Sequence, residues 1–122
     1  MKDEMNLNQA KIRKIQKDRK EAYKFFNEKS KVYRTFVEME QQTYADGHLA
    51  KKYKELVAIG ISLVSNCESC LEWHIKQALD AGATLEEIIE TLEVGFEMEI
   101  GRTTVTARFA MQVLKHYLGD DI

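Results

Sequence analysis

The fold turns on the stretch LAKKYKELVAIGISLVSNCESCLEWHIKQALDAG, residues 49–82. Its first half, about Leu49 to Val64, carries Leu56, Val57, Ala58, Ile59, Ile61, Leu63 and Val64. Beyond Glu55 it is apolar almost all round, the pattern of a central, buried helix. Its β-branched residues would also suit a strand, but the length and the lysine-rich opening decide for a helix. Ser65-Asn66 then offers a stop and a new N-cap. A further helix is expected from about Cys67 to Ala81, with Gly82 as its C-terminal signal.

Downstream, Thr84-Leu85-Glu86-Glu87 reads as a capping box. The helix it opens shows Leu85, Ile88, Ile89, Leu92 and Phe96 at helical spacing, and Gly101 is expected to end it. A last helix, about Thr103 to Leu118, would turn Val105, Phe109, Val113, Leu114 and Tyr117 inward before Gly119 closes it. Upstream, a helix from about Lys31 to Tyr44 would bury Val32, Tyr33, Phe36, Val37 and Met39, and Asp46-Gly47 would stop it. Before it, about Asn8 to Asn27 reads as a basic helix whose first half is expected to fray or to dock on another subunit. The chain contains no proline, which long helices with short connections do not need. The expectation is an all-α fold, a single compact domain of about six helices over residues 1–122, with residues 1–30 as a basic N-terminal extension.

Charge is split along the chain. Residues 1–54 hold 14 Lys/Arg and 8 Asp/Glu, residues 55–122 hold 4 and 12. A basic half can meet nucleic acid or an anionic surface, or it can pair with an acidic half in the same or a neighbouring subunit. No nucleic-acid-binding motif accompanies the charge, so no nucleic-acid partner is expected. The first ten residues lack an apolar signal core and no stretch approaches the ~20 apolar residues of a membrane span, so the expected location is cytoplasmic with no membrane association.

The chemistry concentrates in Cys67-Glu68-Ser69-Cys70-Leu71-Glu72-Trp73-His74. Positions i, i+3 and i+7 share one helical face, so Cys67, Cys70 and His74 line up. Cysteines three apart on a helical turn lie roughly 5–6 Å between Cα atoms, within disulfide reach. At a helix start, unpaired N–H groups and the dipole stabilise a thiolate, which can lower a thiol pKa of about 8.5 to roughly 3.5–7.5. His74 can accept a thiol proton or stabilise the anion. Glu55 is the candidate to orient it: in a hairpin turning at Asn66 the two residues differ by about 4.5 Å along the axis at 1.5 Å per residue. The residues alone leave three readings: redox use, a metal site with His74 and Glu55, or two inert cysteines. Structural zinc takes more Cys/His ligands, and the histidine one turn beyond the pair favours redox use. His48 and His116 read as surface or structural residues, Trp73 as packing, and Arg102 and Arg108 as ion-pair partners of the fifth helix's glutamates.

The spacing Glu55–Cys67–Cys70–His74 resembles the signature of the alkylhydroperoxidase D-like family, which belongs with the carboxymuconolactone decarboxylases. Asp46-Gly47, Lys54-Glu55-Leu56, Asn66-Cys67, Ala81-Gly82-Ala83-Thr84 and Glu87-Ile88 extend the likeness over about residues 33–112. The resemblance implies an all-helical fold, assembly as a homo-oligomer (dimer, trimer or hexamer), and cysteine-based reduction of a hydroperoxide. It implies Cys70 as the attacking thiol, Cys67 as the resolving thiol, and His74 with Glu55 as the proton relay; the helix start alone would favour Cys67 as the more acidic thiol. Ser69 stands where such family members carry a tyrosine. The decarboxylase branch lacks the cysteine pair, so lactone decarboxylation is disfavoured.

The expected activity is a thiol peroxidase or disulfide oxidoreductase. It would cycle Cys67 and Cys70 between dithiol and disulfide and be reset by a dithiol donor, lipoyl-linked or thioredoxin-like. No cofactor and no metal are expected. The alternatives are a non-catalytic redox sensor or assembly module, and a metal-binding Cys/His protein.

Overall fold

The computed structural model describes the backbone of residues 2–122 and the side chains of residues 7–122. Among the described residues it contains six helices: α1 (Lys2–Lys29), α2 (Lys31–Tyr44), α3 (Lys51–Val64), α4 (Glu68–Asp80), α5 (Leu85–Met98) and α6 (Ile100–Leu118). No strand occurs among the described residues, as the all-α expectation requires. Contacts gather the chain into two compact units, Met1–Asp46 and Gly47–Ile122. Among the described residues, no helix is long and apolar enough to cross a membrane.

The first unit is the α1–α2 hairpin. Ser30 caps α2, its side chain accepting from the Tyr33 N–H. Tyr23, Phe26, Tyr33 and Phe36 form a run of ring contacts with centroids 5.7–6.3 Å apart. The inward face expected for α2 is corrected here, because no residue of α2 is buried. Val32 is 82% exposed and Met39 59%.

The second unit is built around α3, which packs against α4, α5 and α6. Its core consists of Ile59 and Leu63 from α3, Leu71, Ile75 and Ala78 from α4, Ile88 and Leu92 from α5, and Phe109, Ala110, Val113 and Leu114 from α6. Burying each Ile, Leu, Val or Phe side chain among these contributes roughly 1.5–3 kcal/mol against leaving it exposed. Close approach of α5 to α3 rests on Gly95, where an added methyl would lie 2.7 Å from Leu63 Cδ2.

Chain ends of the helices follow local chemistry. Helix α4 closes in a Schellman arrangement, with Gly82 at φ +94° and the Ala83 N–H donating to Ala78 O. The Thr84–Glu87 capping box forms in both directions. The α5–α6 break, however, falls at Glu99 (φ −157°, ψ 68°) and not at Gly101, which lies inside α6. The reason is local: Glu99 O accepts from both the backbone N–H and the hydroxyl of buried Thr103, which starts the new helix at Ile100, three residues early.

Helix α3 is central but not buried all round. Val57 and Ile61 are 55% and 64% exposed. With Tyr53, Val94, Met98 and Arg102 they line an open, mainly apolar trough of about 750 Å³. Val105 of α6, expected inward, is also exposed.

Candidate redox site at the start of helix α4

The α3–α4 connection sets the site. Ser65 ends α3, and Asn66 then takes φ +56°, the left-handed region that asparagine tolerates better than most residues. Its side-chain Oδ1 accepts from Thr106 Oγ1 of α6 at 2.7 Å, and the Cys67 N–H donates to Ser62 O at 3.0 Å. The reversal is thus held from α3 and from α6. The expected N-cap at Ser65-Asn66 is displaced by one residue: Cys67 itself caps α4, its Sγ accepting from the Cys70 N–H at 3.2 Å.

Cys67 and Cys70 are joined by a disulfide, with Cα atoms 5.2 Å apart, the one-turn geometry read from the sequence. Both residues are half-buried.

His74 and Glu55 meet directly. His74 Nδ1 lies 2.7 Å from Glu55 Oε1, and Glu55 is 1% exposed. A glutamate carboxylate only accepts, so Nδ1 is the donor and the proton-exchanging nitrogen of the neutral ring is Nε2. The second carboxylate oxygen, Oε2, accepts from Lys51 Nζ at 2.8 Å. Lys51 was not singled out from the sequence; its signal is the i,i+4 spacing to Glu55 on one helical face.

Other charged groups have separate assignments. Lys52 on α3 pairs with Glu87 on α5 at 2.9 Å, which raises the Lys52 pKa and lowers that of Glu87, chiefly through this hydrogen bond. Fully buried Glu72 accepts a short hydrogen bond from the Tyr117 hydroxyl. Arg102 pairs with Glu99 at 3.0 Å, in the α5–α6 break and not within α5 as expected. The His116 ring packs edge-on against Tyr117, and His48 is exposed. Among the described residues, no three His, Cys, Asp or Glu side chains gather in a way that could hold a metal ion.

Comparison with known proteins agrees with this architecture. Residues 30–115 match the sequence model of the Carboxymuconolactone decarboxylase family. The chain is 38% identical over 79 residues to "Uncharacterized protein 4 in cox locus" of Paracoccus denitrificans, covering 65% of this chain and 71% of that protein. A Cupriavidus necator protein is 35% identical over 66 residues, covering 54% of this chain and 58% of that one. The crystal structure of an apo carboxymuconolactone decarboxylase family protein from Legionella pneumophila superposes with a TM-score of 0.81 at 29% identity, covering 90% of this chain and 98% of that one. A Thermotoga maritima protein of the same family, described as a candidate participant in the antioxidative response, gives 0.79 at 25% identity, covering 85% and 89%.

Proposed function

Given that the chain belongs to the carboxymuconolactone decarboxylase family, we propose that it is a thiol peroxidase that reduces a hydroperoxide through Cys70 and Cys67. The observation that carries this reading is the disulfide across the first turn of α4, one turn before a histidine bonded to a buried glutamate. A decarboxylase has no use for that disulfide.

The cycle balances as follows. His74 Nε2 takes the Cys70 thiol proton. The Cys70 thiolate attacks the outer peroxide oxygen; an S–O bond forms, the O–O bond breaks, and the departing alkoxide takes the proton from His74 to leave as the alcohol. Cys70 is now a sulfenic acid. The Cys67 sulfur attacks it, an S–S bond forms, and water leaves. A dithiol donor then exchanges with the disulfide, is oxidised to its own disulfide, and returns Cys67 and Cys70 to thiols. Glu55 holds the imidazole in the tautomer this transfer requires. The antioxidative description of the Thermotoga relative supports the same direction of chemistry. A reducing cytoplasm, supplying a lipoyl-linked or thioredoxin-like donor, suits the cycle.

We further read the chain as a homo-oligomer in which a second copy covers the α3–α5 trough. Support comes from the size of that exposed apolar face and from the opposite charges of the two parts of the chain, which favour contacts between copies.

The decisive experiment measures peroxide consumption with a dithiol donor for the wild type, Cys67→Ser and Cys70→Ser. The reading requires Cys70→Ser to be inactive and Cys67→Ser to stop after one oxidation. Equal turnover in all three proteins would remove it.

A further inference from the structure

Glu55 is a buried carboxylate held from two sides, and only one of them, His74, belongs to the signature spacing. The other is Lys51, which lies one turn earlier on α3 with its side chain 37% exposed. Its ammonium therefore reaches from a partly solvated position to a carboxylate that is itself almost sealed from water. We propose that Lys51 is a positioning residue of the relay: it anchors Glu55 Oε2 so that Oε1 faces His74 Nδ1 and fixes the ring tautomer whose Nε2 accepts the thiol proton. The inference rests on the thiol-peroxidase reading and deepens it.

A buried carboxylate oxygen that loses its donor must rotate to find another or stay unsatisfied; either response loosens the Nδ1 contact and with it the hold on the ring tautomer. Neighbouring ionisable groups have other partners: Lys52 is bonded to Glu87 of α5, Glu72 accepts from Tyr117 of α6, and Cys67 and Cys70 on α4 are bonded to each other. None of these contacts substitutes for the one from Lys51 to Glu55.

The test is a proton–nitrogen correlation NMR spectrum of the His74 ring in the full-length, disulfide-bonded protein, which reports which ring nitrogen carries the proton. The wild type is expected to carry it on Nδ1. Lys51→Met is expected to lose that preference, and Lys51→Arg to restore it. With the reduced protein, a single Cys70 oxidation followed by stopped flow should slow by about tenfold in Lys51→Met, a fraction of a general acid–base contribution, and should recover in Lys51→Arg. An unchanged His74 tautomer in Lys51→Met, or no recovery in Lys51→Arg, overturns the proposal. The spectrum of the oxidised protein is read without turnover. A failure of the peroxidase reading, seen as full activity in Cys70→Ser, is therefore distinguishable from a failure of the Lys51 role.

Discussion

Glu55 and His74 lie on different helices, yet their side chains meet at 2.7 Å one helical turn beyond Cys70. The contact spans the α3–α4 hairpin and so depends on the register of that hairpin. Glu55→Gln keeps an acceptor oxygen at the same place but removes the charge. It is expected to lower the rate of Cys70 oxidation by about a hundredfold, the low end of general acid–base contributions. Stopped-flow measurement of a single oxidation, with far-ultraviolet dichroism confirming the fold, checks this.

Cys67 has two structural duties, as disulfide partner and as N-cap of α4. The disulfide closes a very short loop, so its entropic contribution to stability is only about 2 kcal/mol. Serine is a strong N-cap and alanine a poor one. Under reducing conditions Cys67→Ser is therefore expected to be at least as stable as the wild type, and Cys67→Ala less stable than Cys67→Ser by about 1 kcal/mol. Urea unfolding in the presence of a reductant separates the two.

The Lys52–Glu87 bridge ties α3 to α5 and also feeds the capping box that starts α5. Glu87 has its pKa lowered from the ordinary value of 4.5, first by the hydrogen bond from Lys52. Its stabilising effect is thus present above about pH 4.5 and is lost as pH falls through its lowered folded value. Lys52 has its pKa raised above 10.5, so its effect is present below that value and is lost as pH rises past the raised one. The wild type should have a higher Tm than Lys52→Met between about pH 5 and pH 10, with the difference shrinking on the acid side. A difference that stays constant down to pH 2 would show that the bridge is not its source.

Ile61 is 64% exposed in the middle of the α3–α5 trough. Ile61→Lys should lower the molar mass measured by light scattering toward that of one chain, without loss of helix content. Equal mass for the two proteins would remove the trough from the interface between copies.

Much of the hairpin was legible because its signals are local. The capping box at Thr84, the glycine at 82 and the Cys67–Cys70–His74 face are each read within one or two turns. Glu55 was legible chiefly through the family resemblance, with hairpin arithmetic beside it, and the direct 2.7 Å contact needed the side-chain directions that packing imposes. The misreadings share a cause. Val32 and Met39 of α2, Val57 and Ile61 of α3, and Val105 of α6 have helical apolar spacing, which marks a face that avoids water without saying whether this same chain covers it. The break between α5 and α6 was placed at a glycine by composition, whereas the competing hydrogen bonds of Thr103 to Glu99 set it. Lys51 went unremarked because a lysine in a lysine-rich first turn looks like solvated charge until its partner is seen to be buried.

The hydrogen bond from Thr106 to Asn66 closes across 40 residues of chain. During synthesis the two thiols leave the ribosome well before the threonine that braces the bend in front of them. For that interval the cysteines are present without their brace, open to pairing with other thiols. Completion of the last helix thus fixes the bend in front of Cys67, and a chain stopped short of Thr106 would carry both cysteines without this support for their geometry.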